Sequence, residues 1–169
     1  MRIPYREEIE QPMNDTVQAA YEAHADLLYR LALSHLHHSE DAMDAVHDVF
    51  LKFADTPHSF QSEEHERAWF VRVTINRCHD LLRRRRLRLH DSIDDHRETA
   101  APVDNTRPAV LETLDRLSEN LKDVVVLHYL EGFSVEETAR LLKLSVSAVK
   151  MRLSRARDTL RSAIEKEGL

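Results

Sequence analysis

The stretch from Gly132 to Arg161, GFSVEETARLLKLSVSAVKMRLSRARDTLR, leaves few folds open to this chain. Ser134 followed three residues later by Glu137 is a capping-box pattern, in which the two side chains satisfy backbone N–H groups that a first helical turn leaves unpaired. The helix opened this way carries Val135, Ala139 and Leu142 at core spacing until Lys143 and Leu144 interrupt it. Ser145 is expected to cap a second helix, on which Val146, Val149, Leu153, Ala156 and Leu160 form one apolar stripe. Ser147, Met151, Ser154 and Arg155 project on the opposite side, with Lys150 flanking. Two short helices joined by a tight turn, the second exposing small polar and basic residues, describe a helix-turn-helix whose second helix suits a DNA major groove. Seven Lys or Arg lie between Arg140 and Arg161, against one acid, Asp158. Taken by itself, the stretch also fits an ordinary amphipathic pair with a solvated basic face.

Composition enters where it narrows the class. Two glycines and five prolines in 169 residues, together with helical periodicity, point to an all-helical chain and argue against a large parallel sheet. One cysteine excludes an intramolecular disulfide framework, and no long apolar run or secretory signal appears, so a reducing cytoplasm without membrane insertion is expected. The net charge of −6 is segmental. Residues 1–65 hold four basic and thirteen acidic residues (−9), 66–90 eight and two (+6), 91–107 two and five (−3), and 108–169 ten and ten. An acidic front, a basic block, an acidic hinge and a basic recognition helix suit at least two partners of opposite electrostatic character.

In chain order, Met1 to Asn14 shows little periodicity and is expected to be a poorly ordered lead. A first helix runs from Asp15 or Thr16 to about Leu36. His35, His37 and His38 invite a metal reading, but adjacent histidines cannot share a helical face and no Cys or well-spaced carboxylate completes the set, so neither metal nor cofactor is expected. Ser39 is expected to cap a second helix with a buried stripe of Ala42, Val46, Val49, Phe50 and Phe53. Its other side carries Asp41, Asp44 and Asp48 around Leu51, an apolar residue stranded among acids that suits a protein partner offering basic groups around an apolar notch. Phe60 sits in a polar loop. Ser62 opens a third helix whose faces separate cleanly: Phe70, Val71, Ile75, Cys78 and Leu82 on one, Trp69, Arg72, Asn76, Asp80 and Arg83 on the other. Cys78 is thereby a small core hydrophobe rather than a nucleophile. The mixed face suits unstacked bases and phosphates, and the arginines at 83, 84, 85, 86 and 88 suit a polyanion. His90 to Arg107 reads as a flexible acidic linker. Helix resumes near Ala109, and Ser118 is expected to cap another helix that ends at Gly132.

DAVHDVFLKF in the second helix, RAWFVRVTINRCHDLLRRRR in the third and FSVEETARLLKLSVSAVKMRLSRAR near the end together resemble the region 2 and region 4 signatures of bacterial RNA polymerase sigma factors, sigma-70 family, of the extracytoplasmic-function type. The resemblance runs from about Tyr21 to Arg161. It implies an all-α fold of two helical domains, region 2 in residues 1–90 and region 4 in 108–169, joined by a flexible linker at 91–107. It implies a transcription initiation factor, not an enzyme, that binds core RNA polymerase through the β′ clamp helices, opens the −10 element and reads the −35 element of promoter DNA. Phe60 and Asn76 match the loop aromatic and third-helix asparagine that help hold a flipped-out base in that family, and Trp69, Arg72 and Arg83 share their face. Ser147, Lys150, Met151, Arg152 and Arg155 are the expected −35 contacts. Asp44, His47, Asp48 and Leu51 are the expected polymerase contacts. The resemblance also implies a cognate anti-sigma factor and no small-molecule substrate.

Two positions depart from the family pattern. His47 replaces a usual glutamine, and Lys143 replaces the glycine of the helix-turn-helix turn, where a left-handed backbone would cost roughly 1 kcal/mol. No third folded domain is expected beyond Leu169. The alternative is a helix-turn-helix regulator that binds DNA without polymerase; a histidine-based metal-dependent hydrolase is a more distant one.

Overall fold

The computed structural model describes residues 15–91 and 109–166. The lead at 1–14 and all but the first residue of the expected linker therefore lie outside the described residues. Among those described, seven α-helices and one π-helical turn account for all regular structure: α1 (Asp15–Leu36), α2 (Ser39–Asp55), α3 (Glu63–Asp91), α4 (Ala109–Leu114), α5 (Glu119–Val125) running into the π turn Val126–Leu130, α6 (Val135–Leu142) and α7 (Val146–Lys166).

Helices α1, α2 and α3 pack on one another as the first domain. Leu28, Leu31, Val49, Phe70 and Val71 are almost wholly removed from water there. Helices α5, α6 and α7 form the second domain around Val124, Val126, Leu127, Val149 and Ala156. At ~1.5–3 kcal/mol per fully buried large apolar side chain, these residues hold each bundle together. Cys78 is fully buried among them, and burial pushes its thiol up to about 12, in keeping with a core hydrophobe.

Local chemistry fixes where several helices start. Ser134 Oγ accepts from the Glu137 N–H (3.1 Å), and the Glu137 carboxylate accepts from the Ser134 N–H (2.8 Å), completing the capping box on α6. Ser62 Oγ accepts from the His65 N–H, and Ser145 Oγ from the Ala148 N–H. His38, not the expected Ser39, holds the cap position of α2, whereas Ser118 holds that of α5 as expected; neither makes a side-chain capping bond. The extended backbone is shifted one residue upstream of Ser39 because His37 reverses the chain out of α1 with φ 59, its N–H bonded to Leu33 O.

The π turn is where α5 leaves ideal geometry. The Glu131 N–H reaches back five residues to Val126 O (2.9 Å), and the Phe133 N–H reaches Leu127 O (3.1 Å). Gly132 follows with φ 75, so the expected helix end at this glycine holds, with one wide turn before it.

The two domains lie against each other, α3 packing on α6 and α1 on the π turn. Polar pairs define this seam. Arg30 grips Glu131 with Nε and Nη2 at 2.8–3.2 Å. His37 Nε2 lies 2.6 Å from Asp115, and Arg86 pairs with Glu119.

Candidate nucleic-acid interface

The second domain presents α7 as the sequence leads one to expect. Val149, Leu153 and Ala156 are buried, Val146 and Leu160 half-buried, while Ser147, Lys150, Met151, Ser154 and Arg155 are all exposed and Arg152 is half-buried. The turn that aims this face has Lys143 at φ 53, ψ 45. The left-handed residue closes α6 through the Leu144 N–H, which bonds to Ala139 O (2.9 Å). A lysine therefore adopts the conformation for which glycine is the ordinary choice.

The first domain's candidate face is built on an aromatic pile. The rings of Phe53, His58 and Phe60 stack nearly parallel, with 5.1 Å between Phe53 and His58 and 5.4 Å between His58 and Phe60. Trp69 leans on His58 at 4.4 Å. Phe60 is thus held half-buried on its loop, and Asn76 stands exposed two helical turns beyond Trp69. His58 escaped the sequence reading. A polar ring in a loop carries no periodic signal, yet it packs against both phenylalanines, themselves 6.3 Å apart, with Nε2 buried and without a hydrogen-bond partner.

Several basic residues of α3 are engaged within the chain. Arg83 pairs with Asp80 and Arg85 with Asp41, and Arg86 meets Glu119 of the second domain. Arg72 donates from Nη1 to the Leu141 carbonyl of α6 (3.0 Å). Burial, with a neutral carbonyl rather than a carboxylate opposite, pulls this guanidinium below the ordinary arginine value. It lines an interdomain cleft of about 300 Å³ together with Arg67, Arg140, Lys143 and Glu137.

On α2, Asp44 and His47 are exposed, and Leu51 shows 51% of its surface to solvent. Asp48 shares the face but is held by Arg77 through Nη2 and Nε at 2.6 and 2.8 Å.

The three clustered histidines do not converge. His38 turns to Asp41, His37 to Asp115 and His35 into the seam. There His35 joins two residues far from it along the chain: Asp123 Oδ1 lies 2.9 Å from His35 Nε2 and 3.0 Å from His79 Nε2. Burial alone would raise the Asp123 carboxyl, but its bonds to the two histidines hold it below the ordinary carboxylate value. For His79 burial opposes the charge, and the carboxylates of Asp123 and Glu119 outweigh it and raise the imidazole. Of the described side chains, this trio has the geometry to hold a metal ion.

Comparison with known proteins places this arrangement. Residues 20–88 match the Sigma-70 region 2 family and residues 107–160 the Sigma-70, region 4 family. Over 143 residues the chain is 34% identical to the ECF RNA polymerase sigma factor SigM of Mycobacterium tuberculosis, covering 83% of this chain and 72% of that protein. The chain belongs to the ECF RNA polymerase sigma factors. It is 28% identical to the RNA polymerase sigma factor SigV of Bacillus subtilis, over 86% of this chain and 89% of that one. Its fold is similar to that of the sigma factor RpoE of Bartonella quintana, solved in complex with the anti-sigma factor NepR, with a TM-score of 0.63, 24% identity, and 89% and 95% of the two chains covered. Sigma factors are initiation factors of RNA polymerase rather than enzymes, and the fold of two helical domains is the family's. No helix among the described residues is long and apolar enough to cross a membrane.

Proposed function

We propose that this sigma factor directs core RNA polymerase to its promoters with two separate DNA-reading faces. The outer face of α7 reads the −35 element through Ser147, Lys150, Met151 and Arg155, with Arg152 nearer the phosphates. The aromatic loop and α3 receive the opened −10 element: Phe60 and Trp69 stack on an unpaired base, Asn76 meets its edge, and Arg72 and Arg83 neutralise the backbone. Region 2 occupies 1–90, the linker 91–107 and region 4 108–169. The exposed face of α2, Asp44, His47, Asp48 and Leu51, docks on the β′ clamp helices.

The observation that carries this reading is the coexistence in one chain of a polar, basic recognition-helix face and an aromatic pile at a helix–loop junction, since a duplex reader has no use for the second. Leu51, exposed one turn beyond Asp48 on the face it shares with Asp44, supports a protein rather than a nucleic-acid partner on α2. A cognate anti-sigma factor, such as the one bound to RpoE, acts on the same chain.

Purified protein added to core RNA polymerase on a pool of candidate promoters tests the reading. Promoter-specific transcripts that depend on both components are expected, and Leu51→Asp should abolish them with helical content unchanged. Tight, specific binding to duplex DNA with no transcripts in the presence of core enzyme would instead identify a polymerase-independent regulator.

A further inference from the structure

A buried polar cluster lies on the domain seam. The side chain of His35 is 1% exposed, that of Asp123 7% and that of His79 21%. His35 comes from α1, His79 from α3 and Asp123 from α5, so both domains contribute.

Proton positions in this cluster are constrained. His35 Nδ1 lies 2.8 Å from the Leu31 carbonyl, which only accepts, so Nδ1 carries the hydrogen. His35 Nε2 faces the carboxylate oxygen of Asp123. The same oxygen faces His79 Nε2, whose other ring nitrogen lies 3.8 Å from the Glu119 carboxylate. The three donor atoms lie within 4.8 Å of one another, close enough to share one cation.

We propose that His35 Nε2, His79 Nε2 and an Asp123 carboxylate oxygen bind one divalent transition-metal ion of the zinc class, clasping the two domains together. Three arguments favour a metal of this type. Two imidazoles and one carboxylate form a borderline donor set, which suits zinc and its neighbours better than magnesium or calcium, whose ligands are oxygens. The spacings of 2.9 and 3.0 Å from the Asp123 oxygen to the two nitrogens are within a few tenths of an ångström of the ~3.3 Å edge of a tetrahedron with ~2.0–2.1 Å metal–ligand bonds. His35 Nδ1 is bonded to a backbone carbonyl, an outer partner of the kind that orients ligating histidines elsewhere, and the Glu119 carboxylate lies 3.8 Å from His79 Nδ1, outside hydrogen-bond reach. A fourth position on the more open side of His79 falls to water. The clasp keeps α6 against α3, the arrangement in which Arg72 is bonded to Leu141.

The site requires neither polymerase nor DNA, so its test stands apart from the promoter reading. The full-length protein, freed of metal, is titrated with zinc sulfate against a chromophoric chelator, and urea unfolding is followed with and without zinc. One ion per chain is expected, with the unfolding midpoint raised by zinc. Loss of an outer partner of a metal site commonly costs ~10–100-fold in affinity, so removing a ligand in His79→Gln or Asp123→Asn should cost at least the upper end of that range and abolish the midpoint shift. His38→Gln, which leaves the cluster intact, should bind as the parent does. Circular dichroism confirms that each variant is folded, and His79, the least buried of the three, tolerates exchange best. No binding by the parent protein at micromolar zinc overturns the proposal. So does binding that survives both ligand exchanges or disappears in His38→Gln.

Discussion

Helices α3 and α7 were both legible as two-faced, basic helices, and they meet opposite circumstances in the folded chain. The outer side of α7 is open: Ser147, Lys150, Met151 and Arg155 are exposed, while Arg157 to one side bonds to Tyr129. On α3, Arg72, Arg83, Arg85 and Arg86 are each drawn to a partner within the chain, two of them across the domain seam. Periodicity tells which side of a helix faces away from its own core. It says nothing of whether another part of the chain is waiting there.

The largest effect should come from Asp123→Ala. This leaves two buried imidazoles without their carboxylate, and breaking one member of such a pair costs ~3–5 kcal/mol. Urea unfolding should register the loss, and hydrogen exchange should show α3 and α6 deprotected at their contact while the outer face of α7 is unchanged; equal deprotection of both would erase the contrast between the helices. Next come Lys150→Ala and Arg155→Ala, each expected to weaken holoenzyme binding by ~1–3 kcal/mol where it reads a base and to relax preference at that −35 position. Competition binding with single-base promoter variants measures this. Phe60→Ala and Asn76→Ala act on the other helix's territory and should spare core binding while lowering permanganate reactivity at the −10 element, since stacking of ~1–3 kcal/mol per base matters only once a base leaves the duplex.

The smallest effect is acid-dependent. The Glu137 carboxyl is held below its ordinary value of 4.5 chiefly by the Ser134 backbone N–H. A depressed carboxyl contributes stability that is present above its unfolded value and lost as pH falls through its folded one. Glu137→Gln, which keeps an acceptor but no charge, should therefore be slightly less stable than the parent at neutral pH and indistinguishable from it below the carboxyl's folded range. Paired denaturation curves at the two pH values check the sign.

What the sequence disclosed and what it withheld divide by distance along the chain. Ser134 and Glu137 are three residues apart, so their reciprocal bonds follow from helix geometry alone. The strained turn at Lys143 was foreseeable from the family resemblance alone, since a glycine ordinarily stands at that place in the turn. The stripes of α2, α3 and α7 followed from period. Leu51 stood out because it broke one. The Asp123 cluster joins residues 88 and 44 positions apart, and the grip of Arg30 on Glu131 spans 101. No local rule reaches that far. Ser39 and Ser118 show the converse limit: the first loses the cap position to the residue before it, and the second holds that position without making a side-chain bond.

The wide turn at Val126–Leu130 has a consequence for how this chain tolerates change in length. A helix carrying one residue more than its regular pitch has its two ends about 100° out of phase. Here that offset carries Val126 and Leu127 inward, leaves Tyr129 and Leu130 outside, and brings Glu131 round to Arg30. Deleting a single residue from the turn would restore an ideal helix and swing the carboxylate away from the first domain. Local regularity and agreement between the domains are set against each other at this point, and the folded chain keeps the irregular turn that lets its two halves meet.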